Sequence, residues 1–274
     1  MKGHLLQSSS IGTVHADIQR VVLAGNTREN LHNPRTIVSL ANSLSNDLLG
    51  SGIFKVPPRD ERYVDRPRLM KHLDDVIENT KKNQSCNSIT LCGLEGVGKS
   101  QLALEYCYRK MNEFRYIFWM PSENELSLQS AFVDVAQRFN LASKGAHIVD
   151  PGSILMRVVE WLQNNDDWLL VYDNADDFSL GNTSNPFYLQ TKYFPQCRNG
   201  IILVTTRFRD KAHMTIPIYL EKYSMDNEEA LKLLGKDSSA PYALELIKEL
   251  GYLPLATDIA GASMRMDEDL SPEI

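Results

Sequence analysis

The sequence predicts a parallel α/β fold, one sheet with helices on both faces, and three observations carry that prediction. Short apolar runs, at Ser88–Cys92, Phe114–Met120, Trp168–Asp173 and Gly200–Arg207, alternate with stretches of helical apolar spacing, as buried parallel strands joined by right-handed helical crossovers require. The first run leads straight into Gly93-Leu94-Glu95-Gly96-Val97-Gly98-Lys99-Ser100, which meets the phosphate-binding template G-x-x-x-x-G-K-[ST] at every fixed position. Two later runs end in polar groups, Asp173 and Thr205-Thr206-Arg207, at the strand ends where such sheets hold ligands.

The glycine loop has the right flanks, a β-branched strand before it and good helix formers from Gln101 to Tyr108 after it. Its glycines let backbone N–H groups curl around a phosphate, and the positive end of the next helix favours the anion. Gly93, Gly96, Val97 and Gly98, with Lys99, Ser100 and Gln101 at the helix start, are therefore the expected cofactor-binding residues. Lys99 would reach the outer phosphates, and the Ser100 hydroxyl would ligate Mg²⁺. A chance Gly-Lys-Ser turn is the rival reading, and the flanks speak against it.

Composition narrows the classes. A chain of 274 residues with 43% hydrophobic residues can bury one large or two small cores. Its net charge of −6 argues against a general nucleic-acid or anionic-membrane binder, so phosphate binding has to be local. Cys86, Cys92, Cys107 and Cys197 form no C-x-x-C pair and read as reduced residues of a cytoplasmic protein. His4, His15 and His32 lack metal-ligand spacing. No secretory pattern opens the chain, and no apolar run approaches the ~20 residues that span a bilayer.

Residues 1–57, rich in Ser, Asn and Gly, read as a partly disordered amino-terminal arm, with short helix or strand candidates at Val14–Leu23 and Ile37–Leu49. Val56-Pro57-Pro58 marks its end. The nucleotide-binding domain is expected over 58–222. Leu69, Leu73, Val76 and Ile77 give one apolar face to a helix reaching about Thr80, and Asn79–Asn87 reads as a polar turn. After the strand closed by Pro121, helices are expected at Leu126–Phe139 and from Pro151, with Trp161 and Trp168 as core residues. Ile216–Leu220 is a short strand whose proline suits an edge. From 223 to 274 the pattern is a small helical subdomain: Asp226–Leu234 with an aspartate cap, Pro241–Leu250 ending at Gly251, and Thr257 to about Met266.

The two polar strand ends carry the remaining chemistry. A buried strand such as Trp168–Asp173 delivers its terminal carboxylate beside the phosphate loop, where Asp173 would hold Mg²⁺ through water. Asn174, Asp176 and Asp177 crowd the same edge, and one of them could orient a water. Arg207 can sense a γ-phosphate by a charge-assisted hydrogen bond. A surface salt bridge would be the blander role for that arginine.

GLEGVGKSQLALEY, YIFWMPSE, LLVYDNADD, LVTTR and GYLPLA in this order resemble the NB-ARC group of STAND signal-transduction ATPases, the switch module of plant NLR immune receptors, of apoptosome-forming proteins and of fungal NLR-like proteins, with the wording most similar to the fungal branch. The resemblance runs from about Arg59 to Met266. It implies a P-loop NTPase sheet with the strand order 2-3-4-1-5, counted from the phosphate loop, in which the phosphate-loop strand lies in space between the fourth and fifth strands. It also implies ADP or ATP with Mg²⁺, Lys99, Asp173 and Arg207 as the catalytic set, and Ser100 and Asp173 at the metal. Pro254 would pack against adenine, and Val64 and Arg66, in the stretch Tyr63–Arg66, would line the base. Asp65 stands where the family expects glycine, Glu95 replaces a common loop glycine at a variable position, and Asn174 replaces a second acid, which argues against rapid hydrolysis. The winged-helix subdomain and repeat array that the family normally adds cannot fit after Met266, so the chain looks shortened.

The expected function is a nucleotide-dependent signalling switch with slow or no ATP hydrolysis, self-associating or meeting protein partners in NLR-like immune or cell-death signalling, without nucleic acid or membrane. The alternative is a non-hydrolysing binding or regulatory module, a truncated relative that interferes with full-length partners. The adenine preference follows from the resemblance and from the lack of a guanine-reading N-K-x-D.

Overall fold

Four of the strands form where apolar runs leave no polar face to water, and these four lie side by side in one sheet. In a computed structural model, residues 53–83, 88–139, 141, 151–176, 192–195, 200–209, 215–235 and 241–269 are described. They belong to a unit spanning Gly52–Ile274. The arm candidates Val14–Leu23 and Ile37–Leu49, the histidines His4, His15 and His32, and Cys86, Asp177 and Cys197 lie outside the described residues.

The strands are β1 (Ile53–Lys55), β2 (Ser88–Cys92), β3 (Tyr116–Pro121), β4 (Trp168–Asp173), β5 (Gly200–Thr206) and β6 (Ile216–Tyr219). They are parallel throughout, in the order β1-β3-β4-β5-β2-β6. The phosphate-loop strand β2 thus lies between β5 and β6, as the 2-3-4-1-5 order requires, and Pro217 sits in the edge strand β6. The sheet also takes in β1, from residues that sequence reading leaves in the arm. It pairs with β3 through the register Phe54↔Ile117.

Among the described residues, two long helices cover each face. On one side α1 (Pro67–Asn83) and α2 (Lys99–Arg109) bury Leu69, Leu73, Leu102 and Tyr106 against Ile89, Leu91, Leu169 and Leu203. On the other α3 (Glu125–Arg138) and α4 (Pro151–Gln163) bury Phe132, Val135, Val158 and Leu162 against Phe118, Trp168, Leu170 and Ile202. Successive residues of β4 therefore serve opposite cores, which explains why its run is apolar without alternation. Trp168 fills its layer completely: its indole donates to the Leu162 and Asn165 carbonyls and lies over Gly200, where a methyl group would stand 2.1 Å from the ring.

A 3₁₀ turn (Leu220–Tyr223) leads from β6 to three helices, α5 (Asn227–Leu234), α6 (Pro241–Glu249) and α7 (Pro254–Asp269). Their small core holds Met225, Leu231, Leu234, Ala243 and Ile247. Asp226 and Glu229 close a capping box at the start of α5, so the aspartate cap read from sequence is in place. Two helices depart from expectation by three residues, and the other expected elements among the described residues by two at most. α1 continues through Asn79–Asn83, where Lys81 and Lys82 suit a helix carboxyl end. α7 starts at Pro254 rather than Thr257, since proline is favoured as the first helical residue. Cys92 and Cys107 are free and buried. No helix among the described residues is long and apolar enough to cross a membrane.

Candidate nucleotide site

The site lies at the carboxyl ends of the strands, where β2 turns into α2. Gly96 and Gly98 take φ of +77° and +93°, left-handed values that side chains rarely adopt, and Gly98 caps α2. A cavity of about 420 Å³ opens over this loop, lined among others by Val64, Arg66, Lys99, Asn174, Arg207 and Pro254. The expected residues Gly96, Gly98, Ser100 and Gln101 also line it. Val97 is buried beneath the loop. Gly93 marks the strand side, where its N–H donates to the Thr206 carbonyl at 3.3 Å.

At the phosphate end the polar groups hold one another. Lys99 Nζ donates to the carbonyls of Gly93 and Leu94, at 2.8 Å each, and burial lowers its pKa. Ser100 Oγ and Thr205 Oγ1 both donate to Asp173 Oδ1, at 2.6 and 2.7 Å. Asn174 follows with φ of 59°, a conformation that asparagine tolerates, and its N–H donates to Thr205 Oγ1 at 2.8 Å. Ser100 and Asp173 thus present hard oxygen ligands of the kind Mg²⁺ takes, beside a loop of N–H groups suited to phosphate.

Arg207 stands at the end of β5 and is anchored by Asp176, which accepts from its backbone N–H at 2.7 Å, from its Nε and from Thr206 Oγ1 at 2.9 Å. Burial alone would raise the Asp176 carboxyl, but these donors outweigh it and hold it below its ordinary range. Asp176 therefore positions Arg207 at the end of β5. Arg207 Nη1 also donates to Glu95 Oε2 at 3.2 Å.

The opposite end is formed by the stretch before α1 and by the start of α7. Arg66 is nearly buried and donates to the Val97 carbonyl at 3.0 Å and to the Tyr223 carbonyl, clasping the phosphate loop to the 3₁₀ turn. Burial lowers its pKa. Asp65 turns away to pair with Arg109 at 2.8 Å. Tyr63 lines the cavity, its hydroxyl is buried without a hydrogen-bond partner among the described residues, and burial pushes its pKa up to about 12. Leu255 N donates to the Gly96 carbonyl at 3.1 Å, and a methyl group on Gly96 would lie 2.8 Å from the Leu255 side chain. The helical subdomain thus rests directly on the phosphate loop.

Lys99, Ser100, Asp173, Arg207, Arg66, Val64 and Pro254, spread over 191 positions of sequence from Val64 to Pro254, meet around one cavity or its immediate wall. Sequence reasoning missed the roles of Thr205, Asp176, Glu95 and Leu255. Thr205 and Asp176 are signalled by their place in two of the motifs, whereas the Glu95–Arg207 and Gly96–Leu255 contacts join segments whose proximity only the fold creates.

Known proteins resemble this chain in sequence and in fold. A relative from Hyaloscypha variabilis, described as a nucleotide-binding leucine-rich repeat (NLR)-like protein, is 25% identical over 235 residues, 78% of this chain and 23% of that protein. Among solved structures, Drosophila ORC bound to DNA has a TM-score of 0.51 at 13% identity, covering 89% of this chain and 65% of that one. Cdc6p from Pyrobaculum aerophilum has a TM-score of 0.50 at 14% identity, covering 78% and 65%. Likeness at such identity is a likeness of fold alone. The NB-ARC domain model matches residues 69–240, the span that holds the phosphate loop, Asp173 and Arg207, and the chain belongs to the NB-ARC family.

Proposed function

We propose that the chain is an adenine-nucleotide-dependent signalling switch that binds ADP or ATP with Mg²⁺ and hydrolyses ATP slowly or not at all. The observation that carries the reading is the contact of α7 with the phosphate loop through Leu255 and Gly96, beside Arg66 bridging that loop to the 3₁₀ turn. A ligand in the loop is felt at once by the helical subdomain, which is what a switch needs. Lys99 and the loop N–H groups would take the phosphates, Ser100 and Asp173 the metal, and Pro254 with Val64 the base. A bound nucleotide would supply phosphate charge, which its Mg²⁺ would partly neutralise, and the diphosphate and triphosphate forms would differ in that charge. Arg207, with Lys99, would stabilise charge on the outer phosphate.

The family supports the nucleotide, and the NLR-like relative supports a part in NLR-like immune or cell-death signalling; a cytoplasmic place and self-association or a protein partner belong to the same reading. A second reading, a non-hydrolysing regulatory module, is favoured by one observation: Asp173 and Asp176 are both engaged, and Asn174 supplies no acid. Release of phosphate from γ-labelled ATP separates the two. Turnover above a Lys99→Ala control, on the order of 1 per minute or slower as in unassisted P-loop hydrolysis, supports the switch that resets itself. No release above the control leaves the binding module. Competition by GTP equal to that by ATP would remove the adenine assignment.

A further inference from the structure

We propose that Glu95 selects between nucleotides: its carboxylate occupies Arg207 and so favours a nucleoside diphosphate over the triphosphate at the phosphate loop. This rests on the nucleotide reading above and adds to it the residue that sets the preference.

The observation is the unequal way in which Arg207 is held. Its backbone N–H and Nε go to Asp176, whose side chain is 9% exposed and also accepts from Thr206. Its Nη1 goes instead to Glu95 Oε2 at 3.2 Å, and the Glu95 side chain is 78% exposed. One acid therefore fixes the arginine to its own strand end. The other reaches across from the loop as a surface carboxylate, a partner that can be exchanged.

The place of Glu95 in the loop gives the exchange its meaning. It follows Gly93 and Leu94, whose carbonyls accept the Lys99 ammonium, so the acid stands at the end of the loop to which that lysine is turned. The template leaves this position free, and cradling phosphate requires no acid there. For a diphosphate, Lys99 and the loop N–H groups supply the countercharge and the Glu95–Arg207 pair can persist. A third phosphate brings further negative charge to Lys99 and Arg207. It must either take Arg207 from Glu95 or share the space with a carboxylate, and like charges there repel. Because an exposed pair is weak and screened, the bias is modest, about 3- to 10-fold in relative affinity.

The test is titration calorimetry of the full chain with ADP and with a non-hydrolysable ATP analogue, in the presence of Mg²⁺, for the unmodified protein, Glu95→Gln and Glu95→Gly. The expected result is a rise of about 3- to 10-fold in the ratio of triphosphate to diphosphate affinity in both variants, with the difference from the unmodified protein shrinking as salt is added. A ratio unchanged within about twofold overturns the inference and leaves the nucleotide reading standing. A parallel fall in both affinities also overturns it, since Glu95 would then serve the shape of the loop. An unmodified protein that binds neither ligand removes the nucleotide reading, and the inference with it.

Discussion

The interior of the sheet and its carboxyl-terminal edge are built from the same strands by different physics. In β4 the residues from Trp168 to Tyr172 are fully buried and meet apolar neighbours on both faces. One residue further on, Asp173 accepts hydrogen bonds from Ser100 and Thr205, and the next strand ends with Arg207 between Asp176 and Glu95. The interior is held by burial and shape, which admit no substitute partner. The edge is held by charged and hydroxyl groups that satisfy one another and can be released to a ligand at little cost in folding.

That difference predicts a gradient of effects. Trp168→Ala, deep in the interior, should cost about 3–5 kcal/mol, because the indole fills the space over Gly200 and satisfies two carbonyls. Chemical denaturation would measure the loss, and a cost under about 1 kcal/mol would mean that the layer can collapse around the gap.

Glu105 on α2 lies between the two regimes. Its carboxylate is 1% exposed and accepts from Arg59 and Arg109. Burial alone would raise its pKa, and the hydrogen bonds and charges of the two arginines outweigh that and lower it. A carboxyl lowered in the folded state stabilises above its unfolded value, about 4.3, and this stability is lost as pH falls through the folded value. Glu105→Gln should cost about 1–3 kcal/mol at neutral pH, with the difference from the unmodified protein narrowing in acid. Thermal melts across that pH range check both, and a difference that does not narrow would assign the loss to packing.

At the edge, Ser100→Ala should lower stability by about 1 kcal/mol or less, the worth of one exposed hydrogen bond. It should nonetheless abolish the Mg²⁺ dependence of nucleotide binding. A large loss of stability with Mg²⁺ dependence intact would erase the contrast between interior and edge.

The same contrast explains what could be read from the sequence. The five strands β2 to β6 show themselves as apolar or β-prone runs, because burial writes itself into consecutive residues. β1 does not, since three residues, Ile53–Lys55, are too few to form a pattern, and their pairing with β3 is a long-range event. Lys99, Ser100 and Asp173 are legible because fixed spacing and a strand end specify their positions. The hold of Arg66 on Val97 and Tyr223, the anchoring of Arg207 by Asp176 and its contact with Glu95 depend on which segments the fold brings together. No local pattern encodes those pairings.

Every proposed role of the phosphate loop depends on its holding an adenine nucleotide. Purified protein and its Lys99→Ala variant, denatured and analysed by mass spectrometry for released small molecules, provide the measurement. ADP or ATP released from the unmodified protein at close to one equivalent, and lost from the variant, is the predicted result. No nucleotide from the unmodified protein, or equal amounts from both, would contradict it.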